Sequence, residues 1–135
     1  VVSELKNYVA KKNPGKMPYL GVVHRLDQPV EGLLVFAKTK KAAENLTAQL
    51  GKGTLKKEYL AVVSGKVPEN TGRLVDYLAK EKGMAVVKDT ADAQAKKAVL
   101  TYTKKAETEE LTLLAVQIET GRFHQIRAQL SHSGR

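Results

Sequence analysis

Two runs of strand-forming residues, 98–105 and 111–120, are separated by little more than the polar tetrapeptide Glu107-Thr108-Glu109-Glu110. A link that short leaves no length for a crossover helix, so the runs are expected to pair antiparallel. The same pattern extends upstream. Residues 56–64 contain Glu-Tyr-Leu-Ala-Val-Val, a sequence rich in strand formers, and two weaker strand candidates within 72–88 flank residues 80–83, which read as a hairpin turn. The polar, lysine-rich stretch 88–97 is the best candidate for a mobile loop and reads most simply as a solvated connection.

Helical spacing is confined to three places. Val2, Leu5 and Val9 recur on one face before Asn13-Pro14-Gly15 stops the run. Thr39 is placed to cap a helix reaching Leu50, with Ala42, Ala43, Leu46 and Leu50 on one face and closure at Gly51 to Gly53. Phe123, Ile126 and Leu130 form a narrow apolar stripe on a last helix over 123–131, approached from Gly121. Between the first two helices, residues 19–23 read as extended, Gln28-Pro29-Val30-Glu31-Gly32 as a turn, and 33–37 as a compact apolar strand. Many strands with few helices predict an α+β fold: an antiparallel-rich mixed sheet with a few flanking helices. There is no internal repeat and no low-complexity tract.

At 135 residues the chain has the length of one domain, and 42% apolar with 27% charged residues is a globular composition. No apolar run approaches the roughly 20 residues of a membrane span, and no signal-peptide pattern opens the chain. With no cysteine there is neither a disulfide framework nor a thiolate metal site, and a cytoplasmic setting is expected. A formal charge of +9 attracts polyanions, nucleic acid foremost. Surplus lysine for solubility would explain that charge equally well. The arginines decide between the two. There are only five, and Arg25, Arg122 and Arg127 fall inside two short motifs that also hold His24 and His124. The planar guanidinium suits phosphate, carboxylate and base stacking, so its concentration there is informative.

The first motif, His24-Arg25-Leu26-Asp27, sets polar groups beside the apolar Gly21-Val22-Val23 and Leu33-Leu34-Val35. Burying a carboxylate in such surroundings costs several kcal/mol unless it is paired. From local physics alone, a turn aspartate ahead of Pro29 explains the tetrapeptide at least as well as a catalytic one. The second, Thr120-Gly121-Arg122-Phe123-His124-Gln125-Ile126-Arg127, places Arg122 and His124 at a helix start and Arg127 one turn on, a phosphate or carboxylate site by chemistry. In Lys56-Lys57-Glu58-Tyr59-Leu60-Ala61, Tyr59 sits on a basic strand where it could stack on a base, although a core tyrosine is the default. His24, His124 and His132 make no zinc site, lacking paired spacing and any thiolate partner, and phosphate loops of the Walker or Rossmann kind are absent.

These three segments in this order resemble the RluA-type family of RNA pseudouridine synthases. Val23 to Asp27 followed by Gly32 to Lys38 resembles the family's nucleophile motif, Lys57 to Ala61 its tyrosine motif, and Glu119 to Arg127 its arginine motif. The resemblance implies an enzyme that isomerises uridine in rRNA or tRNA with no metal and no cofactor, acting as a monomer. Asp27 would be the nucleophile and Arg127 the cation that keeps it ionised. Tyr59 would stack on the uracil, and Arg25 would fill the space left when the nucleotide flips out. His24, Arg122 and His124 would contact phosphate or the RNA backbone, and Ile126 and Leu34 would wall the pocket or simply pack the core. Val30-Glu31 stands where the family carries Thr-Ser, which bears on local turn contacts and target choice. The resemblance also implies a catalytic-domain fragment shortened at both ends. Two other readings remain: a basic RNA-binding domain without chemistry, and a carboxylate glycosidase, for which no second catalytic acid is evident.

Overall fold

The elements follow the chain as helix α1 (Val2–Lys12), strands β1 (Gly21–Val22) and β2 (Phe36–Ala37), helix α2 (Lys40–Gly51), strands β3 (Glu58–Ser64), β4 (Thr71–Glu81), β5 (Met84–Lys88), β6 (Lys96–Glu107) and β7 (Leu111–Ile118), and helix α3 (Gln125–His132). This is a computed structural model that describes residues 1–15 and 17–135. The chain divides into two units, Val1–Leu55 and Lys56–Arg135. Among the described residues no helix is long and apolar enough to cross a membrane.

In the first unit, α1 opens with Glu4 near its N-terminus and closes on Lys11 and Lys12, each sign placed to favour the helix dipole. Helix α2 is capped as expected: the Thr39 hydroxyl accepts from the Ala42 N–H at 3.1 Å, and Gly53 follows the helix at φ +69°. Ala42, Ala43, Leu46 and Leu50 line its half-buried face. The strand expected over 33–37 shrinks to two residues. Strand β1 offers partners only at Gly21 and Val22, which pair with Ala37 and Phe36, and Leu33 is 92% exposed. Apolar composition makes a strand only where a neighbouring backbone completes the ladder.

The second unit is a five-stranded sheet in the order β3-β7-β6-β4-β5, with every described pair antiparallel. The hairpin between β4 and β5 turns on Lys82 and Gly83, both at positive φ (48° and 83°), the left-handed pair that matches the twist of the strands. The link between β6 and β7 is the acidic tetrapeptide, closed by the Thr108 N–H donating to the Leu111 carbonyl at 2.8 Å. Residues 89–95 connect β5 to β6, and there the Asp92 carboxylate accepts the N–H groups of Gln94 and Ala95 at 2.6 and 2.5 Å. One sheet face carries the core: Val63, Leu100, Tyr102, Leu114 and Val116, closed by Val67 and by Leu130 of α3. Each such side chain removed from water stabilises the fold by about 1.5–3 kcal/mol. Tyr102 lies flat against Gly72, its register partner on β4, where a Cβ would come within 2.4 Å of the ring. Any side chain at position 72 would displace the core tyrosine.

Candidate functional site

The residues singled out in the sequence divide between the units. His24, Arg25 and Asp27 belong to Val1–Leu55; Tyr59, Arg122, His124, Ile126 and Arg127 belong to Lys56–Arg135.

In the first unit these residues stand on the loop that joins β1 to β2. The Val30 N–H donates to the Asp27 carbonyl at 2.7 Å, closing a turn over Asp27-Gln28-Pro29-Val30 whose Gln28–Pro29 peptide is cis. At the loop's outer margin the Val35 N–H donates to His24 Nε2 at 3.1 Å. That bond makes Nε2 the acceptor and places the proton of the neutral ring on Nδ1, which is buried and without a partner among the described residues. Nε2 is thus taken up by the loop backbone and Nδ1 faces the interior. The imidazole braces the loop, giving Val35 the acceptor that strand pairing would otherwise have supplied. Arg25 and Asp27 are exposed. The carboxylate expected to need rescue from apolar burial stands at the surface, so the desolvation cost anticipated for it is not incurred.

In the second unit, Tyr59 is half-buried on β3 opposite Val116, its ring packed against the core, and Ile126 packs against the same cluster from α3. Both residues thus have a packing role whatever else they do. Arg122 donates from Nε to the Lys97 carbonyl at 2.9 Å, fastening the approach to α3 onto β6. His124 is the helix N-cap in the left-handed conformation, φ 47° and ψ 33°. Its ring stacks on Phe123 with centroids 3.8 Å apart and planes 21° from parallel. Arg127 lies on the exposed face of α3.

The expected stripe of Phe123, Ile126 and Leu130 is only partly the packed face. Leu130 is buried and Ile126 half-buried, but Phe123 is 38% exposed, and the deepest positions on α3 are Gln125 and Gln129. Gln125 uses its whole amide: Oε1 accepts from the Thr120 hydroxyl at 2.8 Å and the Arg122 N–H at 3.0 Å, while Nε2 donates to the Val99 carbonyl and to Gln129 Oε1, each at 3.0 Å. Gln129 passes the chain on, donating to Asp76 Oδ2 at 2.6 Å and to the Ala98 carbonyl at 3.3 Å. These bonds set the rotation of α3 about its axis, and with it the outward direction of Arg127. Sequence reasoning missed both side chains that the network uses beyond the motif, Gln129 and Asp76. The available signal was spacing: Gln125 and Gln129 lie four apart, beside Ile126 and Leu130.

A family model described as RNA pseudouridylate synthase matches residues 4–132. The uncharacterised RNA pseudouridine synthase YlyB of Bacillus subtilis (strain 168) is 35% identical over 118 residues, covering 84% of this chain and 37% of its own. Ribosomal large subunit pseudouridine synthase D of Nitrosomonas europaea is 40% identical over 124 residues, covering 88% of this chain and 34% of its own. The chain therefore spans about a third of the length of these curated relatives. In fold it is similar to the solved structure of human RNA pseudouridylate synthase domain containing 4, with a TM-score of 0.80 and 23% identity over 98% of this chain and 54% of that one. Matched by the family model over nearly all its residues and bearing the three motifs in order, the chain belongs to the RNA pseudouridylate synthase family.

Proposed function

We propose that the protein isomerises uridine to pseudouridine in ribosomal or transfer RNA, in the cytoplasm, with Asp27 as the nucleophile. The observation that carries this reading is an exposed carboxylate on a hydrogen-bonded turn, inside the nucleophile motif of a chain belonging to this family. Asp27 attacks the ribose C1′ or the uracil ring, and the N1–C1′ bond breaks. The freed base turns and rejoins C1′ through C5, the bond to Asp27 breaks and frees the carboxylate, and C5 gives up its proton while N1 gains one. Reactant and product are isomers, so the chemistry needs a nucleophile, proton handling and a shaped pocket, and no metal or cofactor.

The remaining roles follow from what each step demands. A nucleophilic carboxylate has to be charged, and Arg127 is assigned the cation that keeps it so. Tyr59 stacks on the uracil and assists the C5 proton. Arg25, exposed two residues before Asp27, fills the gap left by the flipped nucleotide. Arg122 and His124 face the RNA backbone, and Ile126 contributes apolar surface. His24 braces the loop that presents Arg25 and Asp27 to the RNA.

Tritium release from RNA labelled at uridine C5 tests the assignment. Asp27→Asn is expected to lower turnover by at least about 10³-fold, the scale seen when a nucleophile is removed. Arg127→Ala should lose most of the turnover and less of the RNA affinity. Release at the wild-type rate by Asp27→Asn would refute the nucleophile. If the protein bound RNA tightly and released no tritium from any cellular RNA, it would be a basic RNA-binding domain.

A further inference from the structure

The reaction just described gives Phe123 no task. It is one of two phenylalanines in the chain, and it sits within a motif whose neighbours Ile126 and Leu130 both pack inward. Turned into the core, the ring would gain about 2 kcal/mol from burial. Instead it stays 38% exposed. The left-handed backbone of His124 is a conformation that costs a residue with a side chain of order 1 kcal/mol. At the same residue the imidazole is laid parallel to the phenyl ring, 3.8 Å away.

Charge is arranged around this pair. The Lys80 ammonium lies over the phenyl ring, 4.4 Å from its centroid. Two groups that close to one centroid cannot share a face, so His124 covers one side of the phenyl and Lys80 the other. Lys96 opens β6 opposite Leu78 of β4, on the sheet face that also carries Lys80, whereas Lys97, opposite Tyr77, alternates to the other face. The Lys97 carbonyl also holds the Arg122 guanidinium. The nearby carboxylates are engaged elsewhere: Glu81 with Lys88 at 2.6 Å, and Asp76 with Gln129. The surroundings of the ring are therefore cationic. An aromatic face guarded by one flexible ammonium and ringed by lysine and arginine suits a planar, electron-rich group attached to an anion.

We propose that Phe123, backed by His124, is a stacking platform for an unpaired base of the RNA. The base takes the face that Lys80 covers, and the ammonium swings out to the adjoining phosphate. Every base has a π-face, so the platform selects for unpaired RNA more than for sequence. The proposal rests on the RNA reading above but not on the chemistry, since stacking requires no turnover.

The chain has no tryptophan, so Phe123→Trp introduces a single indole at the platform. Titration with unpaired oligouridylate should quench its fluorescence, and a fully paired RNA hairpin of the same charge should quench it much less. Phe123→Leu keeps an apolar side chain and removes the stack; its affinity for the unpaired strand should fall roughly 10-fold, within the range for one base–aromatic contact. Phe123→Tyr should restore it. Lys80→Gln should reduce the salt dependence of binding by about one ion. Unquenched indole together with wild-type affinity for Phe123→Leu would overturn the platform, even if tritium release were normal. Quenching and weakened binding in a protein that releases no tritium would sustain the platform and sink the isomerase reading instead.

Discussion

The two units support their candidate residues differently. In Lys56–Arg135 seven packed core residues are buried and the five strands run as one continuous ladder. In Val1–Leu55 the one buried side chain among the described residues is that of Ala37, and neither helix buries any residue. The basic face on α3 is therefore carried by a stiff scaffold. The proposed nucleophile stands on a loop fixed by a few hydrogen bonds, His24 to Val35 and Val30 to Asp27 chief among them. Loops on rigid frames commonly carry function, and loosely packed regions open at lower free energy than the cores beside them. Here packing in the second unit fixes where its cations and aromatic rings stand, whereas in the first the backbone around Asp27 is closed into a turn by the Val30 N–H.

The sharpest way to break that contrast is to truncate a leucine in each unit. Leu100 is fully buried between Leu74 of β4 and Ile118 of β7, so Leu100→Ala should cost about 2–5 kcal/mol in urea unfolding. Leu33, 92% exposed, should lose no more than about 0.5 kcal/mol on the same change. Comparable losses would mean that the first unit is held by apolar packing after all. A smaller effect should follow Gln129→Leu, which fills similar space without donors. It strips the Asp76 carboxylate, 16% exposed, of its 2.6 Å partner and removes the acceptor for Gln125 Nε2. Leaving such groups unmatched costs about 1–3 kcal/mol. Unchanged stability would show that the amide chain does not anchor α3.

Both outcomes bear on how far the sequence alone could lead. Short links and strand-forming runs made the β6–β7 pair and the β4–β5 hairpin legible, and Thr39 announced α2, because these features are local. Residues 33–37 misled because their apolar composition says nothing about whether a partner strand lies alongside, and β1 pairs at only two positions. Gln125 and Gln129 were invisible as core for the opposite reason. Glutamine is a surface residue by default, and its burial is tolerable here only because Thr120, Val99, Ala98 and Asp76 meet its donors and acceptors. Phe123 looked like core by spacing, and the left-handed turn of the residue after it is not encoded in any periodicity. The motifs drew attention to Asp27, but its exposure is a property of the folded loop.

The smallest expected effect tests whether the stiff unit also relies on local polar bonds where its sheet ends. Between β5 and β6 the chain turns at Asp92, whose carboxylate accepts the N–H groups of Ala95 and Gln94, and those bonds hold its pKa below the ordinary aspartate value. Since the folded value is depressed, the turn's stabilisation is present above the ordinary value and is lost as the pH falls through the lowered one. Protonation should therefore shift the amide resonances of Gln94 and Ala95 together, with a midpoint below that of an unstructured aspartate, and Asp92→Asn should abolish the shared titration. The consequence should stay local. Ala95 is buried at the margin of the sheet, but Ala98 is paired with Asp76 of β4 and Leu100 is held by ladders on both sides, and neither should report anything. A midpoint at the ordinary aspartate value would remove the carboxylate from the turn. A concerted loss of the β6 resonances at that pH would show that the sheet depends on this connection and is less self-sufficient than its packing implies.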